Sequence, residues 1–445
     1  MKRKYFSYFS FSKGNSVVKE LLKTLIRDSH RRFPRKDVHS RELQIPLRSG
    51  KIISLIGPRR SGKTFYFYHL VNRLLEAVSV EQILYMNFED ERLDLSVQQL
   101  QWILEAFYEL YPENLNREIF LFFDEIQGVE GWEKFVRRLY DTVTPHIFLT
   151  GSSAKMLGKE IATSLRGRHL VYHLLPLSFR EFCRFQAMDV SDLYSTENKV
   201  RLKRELMRYL SIGGFPEILS VDETLIQRTL QSYFDVMLFR DIVDRYQVRN
   251  TVILKQFIKR LLNTISSEFS VHKFYNELKS LGIKVSKDMI YRFLEYVTDC
   301  FLVFILFPYD PSPVRQQSRN KKVYGVDTGL VNAVTFKFAG NWGKLLENVV
   351  FLEFVRREQE VYVFRNRFEC DFIVEAQGEV QEAYQVCASL LDEQTRQREV
   401  TALRKTMHHF HLSTGYILTL DEEEEFEVAE GRIRVLPAWK WLLLP

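Results

Sequence analysis

Eight consecutive residues, Gly57-Pro58-Arg59-Arg60-Ser61-Gly62-Lys63-Thr64, fit G-x-x-x-x-G-K-[ST] without a gap. The chemistry this spacing serves is the cradling of a triphosphate. Gly57 and Gly62 let the backbone curl so that its N–H groups point at phosphate oxygens. Pro58, Arg59, Arg60 and Ser61 form the rest of the loop, and Phe65 opens the helix whose N-terminal dipole faces the anion. Lys63 brings a mobile charge to the β- and γ-phosphates, and Thr64 a hydroxyl for Mg²⁺. A second group, Asp124-Glu125, ends the apolar run IFLFF. Asp124 is the expected partner of Mg²⁺. Glu125 is expected to orient or deprotonate the attacking water. A third, Thr150-Gly-Ser152-Ser153, ends another apolar run and offers hydroxyls to the γ-phosphate or the water. Arg166 and Arg168 follow it, and either is a candidate to approach the γ-phosphate, in cis or from a neighbouring subunit. A Gly-Ser-Ser after a strand is as often a plain turn, and each arginine is as often a surface ion pair. No N-K-x-D or T-K-x-D guanine-selecting motif is present, so the expected nucleotide is ATP with Mg²⁺.

These residues need strands to carry them. KIISLIG, QILYMNFED, EIFLFFDE and HIFLTGSS read as strands, alternating with helices over 65–77, 97–110 and 132–142. Such alternation predicts a parallel sheet covered by helices, with ligands at the C-terminal strand ends. The expected organisation is a basic leader over 1–45, a P-loop domain over 46–190, a helical or winged-helix lid over 191–310, and a second α/β domain over 311–445. Within the lid, two helical stretches around Gly282 and Lys287-Asp288 precede an apolar strand near 301–307. PYDPSPVRQQSRN reads as a linker. In the last part, helices are expected at 343–357 and 396–409. Strands are expected near 361–374, 380–387 and 415–420, and Asp421–Glu425 reads as a solvated turn.

Composition bounds the remainder. A 46% hydrophobic share is ordinary for a globular chain. No run approaches the ~20 apolar residues of a membrane span. The N-terminus lacks an unbroken apolar region, so no signal peptide is expected. Four cysteines without paired spacing argue against zinc or disulfides and fit a reducing cytoplasm. The first 50 residues hold 13 Lys/Arg against 4 Asp/Glu, whereas the whole chain is only +6. Such a leader could touch DNA, RNA or another polyanion, or be simply solvated.

The chain resembles the prokaryotic AAA-type ATPases that carry a C-terminal restriction-endonuclease-like domain of unknown function. The resemblance rests on GPRRSGKT, YMNFEDER, IFLFFDEIQGVEGWEKFVRRLYD, FLTGSSA, LRGRHLVYHLLPLSFREF and GGFPE. It continues through VYGVDTGL, LLENVVFLEFVRR, FRNRFECDFIVE, REVTAL and LPAWKWLL. It spans nearly all of the chain beyond the leader. It implies an α/β P-loop domain, a lid, and a C-terminal α/β nuclease fold. It implies that Gly214 and Pro216, as a Gly-x-Pro element, approach the nucleotide; a tight turn between helices is the plainer reading. It also implies that nucleotide state moves the lid.

A nuclease of that fold needs a helix Glu, a strand-end Asp and an Asp/Glu-x-Lys. Glu347 and Asp371 match the first two, but the third reads Gln385-Val386-Cys387. A neutral amide binds Mg²⁺ poorly, and Cys387 cannot replace an ammonium. The domain is therefore expected to be degenerate and kept for nucleic-acid or protein recognition. Three readings follow: a nucleotide-driven ATPase switch, an ATP-regulated DNA nuclease, and a nucleotide-gated scaffold with little hydrolysis. Gln385 and Cys387 count against the second, and Glu125 against the third.

Overall fold

The computed structural model describes residues 4–154, 165, 167–193, 195–335 and 341–444, with the side chains of 4–16 left out. Two compact units divide the chain: Met1–Gly57 with Gly62–Leu174, and Pro58–Ser61 with Leu175–Pro445. Among the described residues no helix is long and apolar enough to cross a membrane.

The first unit runs α1 (Lys4–Arg31), β1 (Ile52–Ile56), α2 (Lys63–Leu74), β2 (Ile83–Asn87), α3 (Leu100–Leu110), β3 (Phe120–Asp124), α4 (Trp132–Thr142), β4 (Ile147–Gly151) and β5 (His169–His173). Its five strands form a parallel sheet in the order β2-β3-β4-β1-β5. Strands β1, β3 and β4 are buried at every residue. That is why their sequences are continuous apolar runs rather than alternations. Phe67 of α2 meets Phe122 edge-on at 5.2 Å, and Phe122 stacks on Phe148 at 4.5 Å. Helix α4 buries Trp132, Phe135, Val136 and Leu139, the i, i+3, i+4, i+7 face its spacing predicts.

The leader reading needs correction. From Val17 on, α1 is part of the first unit. Leu22 and Ile26 are fully buried. Lys19 pairs with Glu105 at 2.5 Å and Lys23 with Glu109 at 2.8 Å, both on α3. An apolar stripe and two cations matched to two carboxylates dock the helix, so these charges are spent inside the fold.

The second unit opens with helices α5 (Phe179–Phe185), α6 (Thr196–Ile212) and α7 (Ile226–Val236), the last continued by a π-helical segment, Met237–Asp244. Next come α8 (Thr251–Leu262), β6 (Ser267–Phe269), α9 (Val271–Ser280), α10 (Lys287–Asp299), β7 (Val303–Leu306), α11 (Pro313–Ser318) and β8 (Lys321–Gly325). Strands β6, β8 and β7 form an antiparallel sheet in that spatial order. A helix, a strand, two helices and a hairpin thus follow one another around this small sheet. The stretch read as a linker, with the start of the expected last domain, is the connection inside this hairpin. β8, expected in the last domain, pairs instead with β6 and β7 of the expected lid.

The chain then runs α12 (Thr328–Val334), α13 (Trp342–Arg356), β9 (Glu360–Arg365), β10 (Glu369–Ala376), β11 (Glu379–Val386), α14 (Glu393–Phe410), β12 (Thr414–Thr419), β13 (Glu424–Val428), β14 (Gly431–Pro437) and α15 (Ala438–Leu443). Six strands form a mixed sheet, β13-β14-β12-β11-β10-β9. One apolar core extends from Leu175 through Phe257 and Phe354 to Leu443, across the expected 310/311 boundary, and a second, wholly beyond it, joins Phe364, Ile373, Leu403, Met407, Ile417 and Val435. Glu424 and Glu425, read as part of a turn, belong to edge strand β13. There Glu425 and Glu427 pair with Arg434 and Arg432 of β14, at 2.8 and 3.0 Å. Charges on an edge strand are tolerated because one side faces water.

Candidate nucleotide site

β1 delivers the chain to Gly57, whose N–H donates to the Gly151 carbonyl at 3.3 Å. Gly62 caps α2 at φ 95°, in the left-handed region that favours glycine. Lys63, the first residue of α2, is 5% exposed. Its ammonium lies 3.1 Å from the Gly57 carbonyl and 3.4 Å from the Glu125 carboxylate. Inside the first unit, then, Gly57, Lys63, Thr64, Asp124 and Glu125 converge at the C-terminal edge of the sheet.

Asp124 is held by three hydroxyls. Thr64 and Tyr85 each donate to Oδ2 at 2.8 Å, and Thr150 donates to Oδ1. Burial pushes the Asp124 carboxyl above its ordinary range, the Thr150 hydroxyl opposes this, and the neighbouring Glu125 charge adds to it. Thr150 also accepts the Glu125 backbone N–H at 2.8 Å. Thr150 is thus a positioning residue for both carboxylates rather than a group aimed outward. Glu125 sits at φ 55°, a conformation that costs a non-glycine residue about 1 kcal/mol. Its carboxylate accepts from Gln127. Tyr85 escaped the sequence reading. Its place in β2, two residues before Asn87, which pairs with Asp124, is the register signal that only sheet order supplies.

The remaining expected residues fall variously. Ser152 and Ser153 are buried just past β4. Phe65 is 48% exposed and lies edge-on to Tyr68 at 5.6 Å, with the Arg35 guanidinium over its ring. Pro58–Ser61 belongs to the second unit, where Arg59 pairs with Asp241 at 3.0 Å and Arg60 with Glu217 at 3.1 Å. Arg60 is itself left-handed, at φ 67°. Gly214 and Pro216 also lie in the second unit. The Gly214 N–H donates to Asp327 at 2.6 Å, and its carbonyl accepts from Leu177 at 2.7 Å. A Cβ on Gly214 would meet the Leu177 carbonyl at 2.5 Å, so only glycine fits. Pro216 begins a 3₁₀ turn, Pro216–Ser220.

Arg168 is a correction. Its carbonyl accepts from Ile52, the first residue of β1, and its guanidinium pairs with Asp141 at 2.6 Å and covers Tyr140. It therefore sits at the N-terminal edge of the sheet. Gly57 lies five residues further along β1, about 16 Å away at ~3.3 Å per residue. A role on the γ-phosphate of its own chain is ruled out by that geometry. Arg166 lies outside the described residues.

The C-terminal sheet brings Glu347 of α13 and Asp371 of β10 together, beside a cavity of about 720 Å³. The expectation that this place lacks a cation was wrong. The Lys322 ammonium, from β8, lies 3.0 Å from Glu347, 2.9 Å from Glu369 and 2.7 Å from Asp371. Burial alone would lower its pKa, but Asp371 and Glu347 outweigh that and hold it charged. Burial pushes Glu347 up to about 8, opposed by Lys322. Gln385 turns its amide to the β10 backbone instead: Oε1 accepts the Asp371 N–H at 2.8 Å, and Nε2 donates to the Glu369 carbonyl at 3.2 Å. Cys387 is buried, its thiol pushed up to about 12 by desolvation, which suits a core residue and no nucleophile. All four cysteines are free and buried.

Among known proteins, residues 49–183 match the family model described as an AAA domain, and 203–340 match a domain of unknown function. With the parallel sheet and the loop at its strand ends, that match makes the first unit an AAA-type P-loop nucleotide-binding ATPase domain. The chain belongs to the family of the Methanocaldococcus jannaschii protein MJ1544, to which it is 38% identical over 440 residues, 96% of each chain. A Haemophilus influenzae protein is 32% identical over 406 residues, 88% of this chain and 94% of that one. Among solved structures, the Aeropyrum pernix ORC1 protein in complex with DNA is 14% identical, covers 72% of this chain and 91% of its own, and has a TM-score of 0.28. A score of that size carries no structural argument.

Proposed function

We propose that the chain is a Mg²⁺-dependent ATP hydrolase that works as a nucleotide-driven switch, its second unit serving recognition rather than chemistry. The observation that carries this reading is the Asp124 carboxylate, fixed by Thr64, Tyr85 and Thr150, beside the Lys63–Glu125 pair. The Thr64 hydroxyl and the Asp124 carboxylate are hard oxygen donors, a set that fits Mg²⁺. Bound Mg²⁺ would neutralise charge developing on the β- and γ-phosphates. Lys63 would exchange the Glu125 carboxylate for phosphate oxygens. Released from Lys63, Glu125 would orient or deprotonate water, held at the required place by its backbone bond to Thr150. A switch expects the chain's conformation to differ between ATP and ADP.

Phosphate release from ATP by the full chain, with and without Mg²⁺, tests the reading. No Mg²⁺-dependent turnover above that of Lys63→Ala would refute hydrolysis. Nuclease action is a second reading, favoured by one observation, the Lys322 ammonium between Glu347 and Asp371. Gln385 opposes it, since both ends of its amide are engaged by β10.

A further inference from the structure

We propose that Asp241 is a positioning residue for the phosphate loop: acting through Arg59, it holds the loop in the shape that receives a triphosphate, so that nucleotide affinity is set in part by the second unit. The proposal rests on the nucleotide site of the reading above and adds to it a residue through which the second unit takes part. The loop is divided between the units. Gly57, Gly62 and Lys63 count with the first, whereas the four residues between the glycines, Pro58–Ser61, count with the second. The ends of the loop are fixed within the first unit: the Gly57 N–H donates to the Gly151 carbonyl, and the Lys63 ammonium donates to the Gly57 carbonyl. The tip is fixed by two carboxylates of the second unit. Arg59 Nε donates to both Asp241 oxygens, at 3.0 and 3.1 Å, and Arg60 Nη1 donates to Glu217 at 3.1 Å. Tip and ends are joined by peptide bonds, so a shift of the tip moves the backbone N–H groups that face the phosphates.

Burial decides which of the two pairs matters. Arg60 and Glu217 are half exposed, and an ion pair in water is worth little. Asp241 is 1% exposed, and its neighbours Leu238 and Ile242 are buried with it in the π-helical segment Met237–Asp244. A carboxylate costs more to bury there than an apolar side chain of its size, and a buried ion pair does not by itself favour the fold. The chain keeps one all the same, and its partner comes from 182 positions away, at the tip of the phosphate loop. Arg245, four residues on, stands further from the same carboxylate, at 3.6 Å. π-Helical turns are rare and occur mostly at functional sites. The tip is also strained: Arg60 has φ 67°, a region that a non-glycine residue holds only where its surroundings fix it, as at ligand clamps. A loop strained in this way relaxes when its anchor is lost.

Calorimetric titration of the full chain with ATP·Mg²⁺ tests this. Asp241→Asn keeps the shape of the side chain and removes its charge. Its Kd should rise about tenfold, within the range usual for coupling between two sites of one protein. KM for ATP should rise in parallel while kcat at saturation stays within about threefold, because Lys63, Thr64, Asp124 and Glu125 are untouched. A merely structural role would lower the fraction of folded chains, and with it the stoichiometry and kcat, and leave Kd and KM unmoved. Arg59→Gln, on the loop itself, should lose at least as much, and it keeps the test open if Asp241→Asn does not fold. The double variant should lose no more than Arg59→Gln alone, since Asp241 acts through Arg59. Asp235→Asn, which breaks an exposed pair with Lys255 in the same unit, should leave Kd within about twofold. Three results would overturn the proposal: a wild-type Kd for Asp241→Asn or Arg59→Gln, additive losses in the double variant, or an equal loss with Asp235→Asn. Absence of nucleotide binding by the wild type would overturn the nucleotide site and the proposal with it. Wild-type binding without turnover would refute hydrolysis alone, and the affinities would still decide the role of Asp241.

Discussion

Lys63 and Glu125 hold each other 3.4 Å apart, and their two substitutions should separate binding from chemistry. Lys63→Ala removes a cation from the phosphate cradle. Charge-assisted hydrogen bonds are worth ~1.5–3 kcal/mol each, so ATP·Mg²⁺ affinity should fall by at least about tenfold. Calorimetric titration of the folded variant reads this, and unchanged affinity would place the nucleotide elsewhere. Glu125→Gln keeps the shape and the backbone bond to Thr150 but loses the base. ATP binding should persist while turnover slows about 10²-fold or more. A kcat equal to wild type would remove Glu125 from the mechanism.

At the scale of elements, packing rather than charge governs α1. Leu22→Ala and Ile26→Ala each delete a fully buried side chain against α3 and the sheet, and each should cost about 2–5 kcal/mol. Denaturant titration checks it; a loss below about 1 kcal/mol would return the helix to the status of a loose leader. The turn at Gly214 offers a pH test. Burial pushes Asp327, which accepts from Gly214 and Leu330, up to about 6 from its usual 3.8. A raised carboxyl binds its proton more tightly folded than unfolded. Its contribution, on the order of 3 kcal/mol, is therefore fully present below the unfolded pKa, is lost progressively as pH rises from about 4 to 6, and is gone above that. Asp327→Asn should flatten stability over that window relative to wild type, at some cost from the acceptor it loses. Parallel pH profiles for the two proteins would sink the idea.

On the scale of the whole molecule, only the first unit is expected to do chemistry. The purified chain should not cut DNA with Mg²⁺ or Mn²⁺, with or without ATP. Lys322 restores an ammonium beside Glu347 and Asp371. Yet its three N–H donors already serve three carboxylates, and Gln385 is committed to the β10 backbone. The cluster is therefore expected to be structural, and removing Lys322 should strand Glu347 and Asp371 at about 3–5 kcal/mol. Cleavage abolished by Asp371→Ala would show that Gln385 swings free and that the cluster works. Cleavage surviving that change would point to another centre.

Much of the first unit was legible in the residues alone, because its signals are local. A glycine-rich loop between an apolar strand and a helix depends on neighbours within a dozen residues, and continuous apolar runs such as FLFF mark strands buried on both faces. The Trp132–Thr142 helix could be read to the residue from its 3.6-residue period. What the tertiary structure decided is whatever depends on partners distant in sequence. Tyr85 reaches Asp124 only because β2 lies beside β3, and Arg168 leaves the site because β5 runs parallel to β1 and starts at its far edge. Lys322 supplies an ammonium that Cys387, just past β11, does not, because β8 brings it to Asp371 across 49 positions of chain. The basic character of the first helix was equally plain from its composition, but whether those charges were free or spent depended on Glu105 and Glu109. A charge's role is set by what faces it, and facing is a property of the fold.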